Sequence, residues 1–416
     1  MRYGLLGEKL GHSFSKEIHG LLGDYSYDLI EVAKESLDDF LSAKDFAGLN
    51  VTIPYKEAVI PHLDLIDEAA KDIGAVNTVV NRGGKLYGYN TDFYGMEMLF
   101  AHAKIDPTGK VVAILGTGGT SKTAYAVMKK LSAKEIFKVS RSGSDGAMTY
   151  DELYAVADKV DIIINTTPAG MFPDIDGCAV DLSKFENLFG VIDAVYNPLR
   201  TSLIIEAKKR GIRAEGGLYM LVAQAARAAE LFCGATIPKE KIEKVYRRIL
   251  REKENIVLIG MPASGKTTVG RLLEKKLRRK AYDSDKLIEK VEKRIISEIF
   301  REDGEAHFRN LEAATIRELS SKSGIIISTG GGAILRSESV DNLKKNGRLY
   351  FIDRPLGQLI PTASRPLASS AELIEKRFNE RYGIYSAAAD VRIDANSSAP
   401  MTADKIITEL LSKRRK

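Results

Sequence analysis

Residues 260–267, read GMPASGKT, have the types and spacing to hold a phosphate chain. A turn built on Gly260, Ser264 and Gly265 offers backbone N–H groups to phosphate oxygens. Lys266 reaches the terminal phosphates, and Thr267, followed by Thr268, puts a hydroxyl where Mg2+ can be ligated at a helix N-terminus. Asp283 and Asp285 come next, two apart at the end of a strand pattern. That spacing lets one carboxylate address Mg2+ and the other a substrate hydroxyl. Arg309 and Glu312 lie three apart, on one face of a helix pattern. Gly330, Gly331 and Gly332 end another strand pattern and let the backbone approach a small molecule closely. The chemistry these groups suit is phosphoryl transfer, whose barrier falls mainly through positioning and charge neutralisation.

A second constellation lies earlier, in KVVAILGTGGTS at 110–121. It reads as a strand, a glycine turn and the start of a helix, with Gly116, Gly118 and Gly119 in the turn. Ser121 stands where the third glycine of a dinucleotide-binding turn would be. The next strand pattern ends at Ser140, followed by Arg141 and Ser142, where a site for NAD would carry an acid for the ribose hydroxyls. A guanidinium there suits a 2′-phosphate, so NADP(H) is expected over NAD(H). The loop NTTPAGM at 165–171 falls where it can pass beside a nicotinamide.

The elements that must position these groups alternate along the chain. Short apolar runs such as YGLLG, GLNVTI and KLYGY alternate with helical patterns over residues 1–105, and the βα alternation continues through VDIIIN and GVIDAVY. A long helix pattern begins near 217. KEKIEKVYRRILREKEN then keeps apolar residues at Ile242, Val245, Ile249 and Leu250, with no Gly/Ser or Pro-rich tether before the strand pattern at 256–259. The join therefore predicts a helix over 238–254 with limited flexibility.

With 416 residues the chain is too long for one core. The net charge of +6 is accounted for by the basic run at 239–253 and the tail at 413–416, so no broad basic field remains and nucleic-acid binding is not expected. Two scattered cysteines and five scattered histidines form no zinc spacing. No apolar run approaches a membrane span, and cytoplasm is the expected location.

Over 1–235 the motifs GHSxS, GxNVTxPxK, AVNT, NTD, GxGGxS, YNPxxT and GLxMLVxQ occur in the order found in shikimate dehydrogenases, and the chain resembles that family closely. The resemblance implies that Ser13 and Ser15, with Tyr196, hold a substrate carboxylate. By the same resemblance Asn50, Thr52, Asn77 and Gln224 contact ring hydroxyls, and Lys56 and Asp92 are the catalytic pair. Those types suit the reaction: an ammonium beside a ketone oxygen stabilises the developing alkoxide and can protonate it, while a carboxylate orients the ammonium. Lys16 and Ser140 depart from the family's usual proline and asparagine.

Residues 255–416 resemble shikimate kinases. The resemblance assigns Asp285 to the substrate hydroxyls and proton acceptance, Arg309 and Arg381 to the carboxylate, and Gly331 and Gly332 to the lining. It places Asp283 on Mg2+ through water and Arg365, in SRPLA, in a lid over the phosphates; the lid is shorter than the family's usual stretch.

The expected architecture is α/β throughout. An N-terminal α/β substrate domain (1–105, completed by helices in 217–250) and a Rossmann-type NADP domain (106–216) are followed, after the helical linker, by a P-loop α/β/α domain of nucleoside monophosphate kinase type (255–416). The two resemblances imply NADPH, ATP and Mg2+ as cofactors, 3-dehydroshikimate and shikimate as small-molecule substrates, and a place in aromatic amino acid (chorismate) biosynthesis. A homodimer is possible. Three alternatives stay open: a quinate/shikimate dehydrogenase, a related sugar-acid kinase, and one half serving as a non-catalytic regulatory module.

Overall fold

The computed structural model describes residues 2–11, 13–144, 146–360 and 370–412. Contacts divide the chain into two units, Met1–Leu250 and Arg251–Lys416. Both are α/β, as the sequence predicts.

The first unit contains two sheets. One has six strands in the order Tyr27–Glu31, Tyr3–Gly7, Gly48–Val51, Thr78–Arg82, Lys85–Tyr89 and Leu65–Ile66. Its first three strands are parallel, and the hairpin from Thr78 to Tyr89 runs antiparallel. The hairpin turns on Gly83 and Gly84, both at positive φ, the conformation a two-residue connection requires. The other sheet has five parallel strands in the order Arg213–Glu215, Gly190–Asp193, Ile162–Asn165, Val111–Leu115 and Glu135–Val139.

Helices Thr91–Ala103 and Leu218–Cys233 join the two sheets into one body. Met96, Leu99 and Phe100 of the first and Met220, Val222 and Ala223 of the second share a core with Val112, Ile114 and Ile162 of the parallel sheet. The helices approach so closely that a Cβ on Gly95 would lie 2.7 Å from the Met220 carbonyl oxygen. Helix Lys239–Lys253 buries Ile242, Val245, Tyr246 and Ile249 in the same core, at the helical spacing read from the sequence.

The second unit is a five-stranded parallel sheet ordered Ala281–Asp283, Ile326–Ser328, Asn255–Ile259, Gly347–Asp353 and Val391–Asp394. Its central strand is buried on both faces. Ile256 and Leu258 pack with Val269 and Leu273 of helix Lys266–Leu277 and with Ile406 of helix Ala399–Leu411. Val257 and Ile259 face the other layer, with Ile316 of helix Gly304–Ser320 and Tyr385 of helix Ala371–Ala388. Covering both faces is what an all-parallel sheet requires, and it explains the continuous apolar run. Among the described residues no helix is long and apolar enough to cross a membrane.

Candidate active sites

In the first unit, strand Gly48–Val51 delivers Asn50, Thr52 and Lys56, and helix Thr91–Ala103 delivers Asp92. The Asn90 side chain caps that helix by accepting from the Phe93 N–H at 3.2 Å. The cap holds Asp92 in the first turn, where the helix dipole favours a carboxylate. Lys56 Nζ donates to Asp92 Oδ2 at 2.6 Å, and both side chains are mostly buried.

Around this pair lies a cavity of about 160 Å³ lined by Ser13, Ser15, Asn50, Thr52, Lys56, Asn77, Asp92, Tyr196 and Gln224. The structure thus brings together every substrate contact expected for this half. Ser13 Oγ donates to Ser15 Oγ at 3.0 Å. Burial raises the Tyr196 phenol above its ordinary value, opposed by a hydrogen bond with the Ser13 side chain. Three hydroxyls gathered at one end suit a carboxylate ligand.

The amides are held by residues that sequence reasoning missed. Tyr27 donates its hydroxyl to Asn50 Oδ1 at 2.8 Å, and Asn50 Nδ2 donates to Thr78 Oγ1 at 3.1 Å. The Thr91 N–H donates to Asn77 Oδ1 at 2.7 Å, and its hydroxyl to Gln224 Oε1 at 3.3 Å. Thr91 sits beside Asp92 in the NTD motif, a signal that could have found it; Tyr27 looks like any core aromatic.

A second cleft, about 1750 Å³, is lined by Gly116, Gly118, Gly119, Ser140 and Arg141. Lys56 and Thr120 line both spaces, so the two meet at the lysine. Gly116 has φ +107°, and a Cβ there would meet Thr166 Oγ1 at 2.9 Å. Gly118 precedes helix Gly119–Lys130 and supplies no side-chain cap, which leaves first-turn N–H groups for an anion. Ser140 Oγ accepts from the Gly143 N–H at 3.0 Å, shaping the turn on which Arg141 is exposed. Thr166 and Thr167 of the NTTPAGM loop line the cleft, as do Tyr150 and Tyr154, which the sequence reading passed over. Ser121 is buried and lines a separate cavity with Lys122 and Tyr125, not the cleft.

In the second unit the phosphate-type loop is strained where glycine is needed. Gly260 has φ +149°, and a Cβ there would lie 2.8 Å from the Ile352 carbonyl oxygen; Gly265 has φ +95°. Lys266 Nζ folds over the loop, donating to the Gly260 and Met261 carbonyls at 2.8 and 2.9 Å. Ser264 is buried. Thr267 Oγ1 donates to Asp283 Oδ2 at 2.6 Å, and Asp283 Oδ1 caps helix Ser284–Glu292 through the Lys286 N–H.

A cavity of about 750 Å³ gathers Gly265, Lys266, Thr267, Thr268, Asp283, Asp285, Arg309, Gly331, Gly332 and Arg381. Arg309 pairs with Glu312 at 2.6 Å and Glu305 at 2.9 Å. Burial works against its charge, but the two carboxylates outweigh this and its pKa ends above the ordinary value. Arg381 donates to the Gly331 carbonyl at 3.1 Å, and burial pulls its pKa below the ordinary value. The three glycines have distinct reasons: a Cβ on Gly330 would strike the Asp285 and Glu312 carboxylates, one on Gly331 the Pro262 ring, and one on Gly332 the Arg309 guanidinium. Tyr385, which also donates to the Gly331 carbonyl, was not foreseen. Arg365 lies outside the described residues.

No group of three or more His, Cys, Asp or Glu among the described residues could hold a metal ion. The Thr267 hydroxyl against the Asp283 carboxylate is a hard-oxygen pair beside the phosphate loop. It fits Mg2+, which keeps several waters and takes much of its coordination from phosphates.

Comparisons with known proteins agree with this geometry. Residues 5–79 match the family model "Shikimate dehydrogenase substrate binding domain" and residues 262–413 match "Shikimate kinase". The curated shikimate dehydrogenase (NADP(+)) of Clostridium perfringens is 38% identical over 265 residues, covering 59% of this chain and 97% of the relative. That of Halothermothrix orenii is 40% identical, covering 56% and 90%. Among solved structures, a chorismate mutase/shikimate 5-dehydrogenase fusion protein from Clostridium acetobutylicum aligns with TM-score 0.57 at 35% identity, covering 59% of this chain and 96% of that one. Shikimate 5-dehydrogenase from Thermus thermophilus, in complex with NADP(H) and shikimate, aligns at 0.55 and 28% identity, covering 60% and 99%. With its dehydrogenase cavities in the first unit and a shikimate kinase domain in the second, the chain belongs to the shikimate dehydrogenase family.

Proposed function

We propose that the chain carries out two consecutive steps: NADPH-dependent reduction of 3-dehydroshikimate to shikimate in the first unit, and ATP- and Mg2+-dependent phosphorylation of the shikimate 3-hydroxyl in the second. The observation that carries the first step is Lys56, which lines the substrate cavity and the dinucleotide cleft at once.

When bound in the cleft, NADPH would supply the hydride to the carbon of the ring ketone. Lys56 Nζ gives a proton to the oxygen that gains the electron pair, and Asp92, 2.6 Å from it, fixes the direction of the ammonium. Ser13, Ser15 and Tyr196 hold the carboxylate, and Asn77 and Gln224, oriented by Thr91, hold ring hydroxyls with Asn50 and Thr52. Arg141 on the cleft rim would receive the 2′-phosphate.

In the second unit bound ATP would supply the phosphoryl group and Mg2+ the charge neutralisation. Arg309 and Arg381 bind the shikimate carboxylate, and Asp285 takes the proton as the 3-hydroxyl oxygen bonds to the γ-phosphorus and the bond from that phosphorus to the ADP oxygen breaks. Lys266 balances the charge on the phosphates, and Thr267 with Asp283 would hold the cation. Each half-reaction tests its own unit. NADPH oxidation should require 3-dehydroshikimate and be much slower with NADH; ADP release should require shikimate. A protein equally good with NADH would remove the Arg141 assignment, and ADP release with a sugar acid but not shikimate would replace the kinase assignment.

A further inference from the structure

The dehydrogenase unit contains a buried carboxylate that the chemistry above does not use. Asp193 ends strand Gly190–Asp193, is fully buried and sits in register beside Asn165, the last residue of the neighbouring strand and equally buried. Its Oδ1 accepts from Asn165 Nδ2 at 2.9 Å and from the Val195 N–H at 2.9 Å; its Oδ2 accepts from Thr201 Oγ1 at 2.6 Å. Burial pushes the carboxyl up to about 6, and the three donors aimed at its two oxygens work the other way, favouring the carboxylate.

Each bond leads somewhere. Because Asn165 turns its NH2 toward Asp193, its Oδ1 faces the other way and accepts from both the N–H and the hydroxyl of Thr167, at 3.0 and 2.7 Å. Thr167 lines the dinucleotide cleft. Val195 lies between Ala194 and Tyr196, both of which line the substrate cavity. Thr201 caps helix Ser202–Lys209, the element into which that loop runs. One carboxylate therefore ties a wall of the cofactor cleft to a wall of the substrate cavity.

We infer that Asp193 is a positioning residue for hydride transfer, holding the cofactor-facing loop at Thr167 and the substrate-facing loop at Tyr196 in a single register. The inference rests on the proposed dehydrogenase function. Hydride transfer demands that reacting atoms meet at about 3–3.5 Å, and a displacement of about 1 Å costs roughly 100-fold. The acceptor geometry at Oδ1, rather than the negative charge, carries the task. An asparagine can keep an oxygen there for Asn165 and Val195 while its NH2 donates to Thr201 Oγ1.

The test uses the full-length chain with Asp193→Asn, Asp193→Leu and Thr167→Val. Asp193→Asn should keep kcat for 3-dehydroshikimate reduction within about threefold, since both loop bonds survive. Asp193→Leu should lower kcat by about 100-fold and raise KM for NADPH and 3-dehydroshikimate together, with the kinase rate unchanged. Thr167→Val removes the hydroxyl bond to Asn165 and keeps the N–H bond, so it weakens only the cofactor branch and should raise KM for NADPH alone. The inference is overturned if folded Asp193→Leu keeps wild-type kcat and KM, if Asp193→Asn falls as far as Asp193→Leu, or if Thr167→Val leaves the NADPH KM unmoved. Should Asp193→Leu fail to fold, the other two variants still decide. A wild-type chain that binds NADP+ without turnover would count against the proposed function alone, and the Kd for NADP+ across the variants would still judge Asp193.

Discussion

Replacing Lys56 by methionine removes the ammonium and little of the side chain's volume. Lys56 Nζ lies 2.6 Å from Asp92, where the two cavities meet, so the substrate loses its proton donor and is left facing a largely buried carboxylate. Loss of a positioned general acid costs about 10²–10⁴ in rate, or roughly 3–5 kcal/mol of barrier. Binding should suffer less, because the hydroxyls at Ser13, Ser15 and Tyr196 and the amides at Asn77 and Gln224 remain in the cavity. Steady-state NADPH oxidation should therefore show kcat down by about 10²–10⁴ and KM for 3-dehydroshikimate within about fivefold. Lys56→Arg separates charge from proton transfer, since a guanidinium keeps the charge and does not give up its proton. It should be almost as slow as Lys56→Met. Shikimate phosphorylation should be unchanged in both. A folded Lys56→Met protein retaining more than about a tenth of the wild-type kcat would refute the assignment of the lysine as the acid.

Other perturbations separate the remaining parts. Arg141→Ala should raise KM for NADPH by about 10–100-fold and leave NADH kinetics alone, the cost of one charge-assisted contact to a 2′-phosphate; equal effects on both would contradict the assignment. Gly332→Ala puts a methyl into the Arg309 guanidinium and should raise the kinase KM for shikimate at least about tenfold, with ATP affinity nearly constant; unchanged shikimate kinetics would refute it. Thr267→Val should raise the Mg2+ concentration needed for half-maximal kinase rate, and an unchanged Mg2+ profile would remove Thr267 from the cation site. His19 is buried against Tyr27 and Tyr25, and burial pulls its pKa from 6.5 to about 3. Its folded pKa is depressed, so the unfolded chain binds more protons between those values. Its stability contribution is complete above pH 6.5 and falls as pH drops toward 3, by at most about 1.4 kcal/mol per pH unit. In urea melts followed by dehydrogenase activity, His19→Phe should flatten the loss between pH 6.5 and 4; parallel curves would count against a neutral buried imidazole.

Local chemistry wrote much of this into the sequence, and tertiary pairing supplied the rest. Gly260 and Gly265 were readable because their positive φ values restrict those positions to glycine. The run at 256–259 was readable as a strand because a parallel sheet covered on both faces admits only apolar residues there. The contact of Tyr27 with Asn50 was not, since a tyrosine in an alternating strand is equally at home as core and its partner lies 23 positions away. Asp193 was hidden for the same reason: a carboxylate at a strand end usually meets solvent, and only the fold reveals its three donors. Ser121 shows the limit of a motif. Helix Gly119–Lys130 turns about 100° per residue, so a residue two positions after Gly119 faces away from the cleft that Gly119 lines.

The central claim is that both cavities act on one carbon skeleton. Incubating the full-length chain with 3-dehydroshikimate, NADPH, ATP and Mg2+, and following the carbon by mass spectrometry, tests it directly. The account predicts that 3-dehydroshikimate is consumed with one NADPH and one ATP per molecule and ends as shikimate 3-phosphate. A folded protein that leaves 3-dehydroshikimate unreduced, or that stops at shikimate with ATP and Mg2+ in excess, would contradict it.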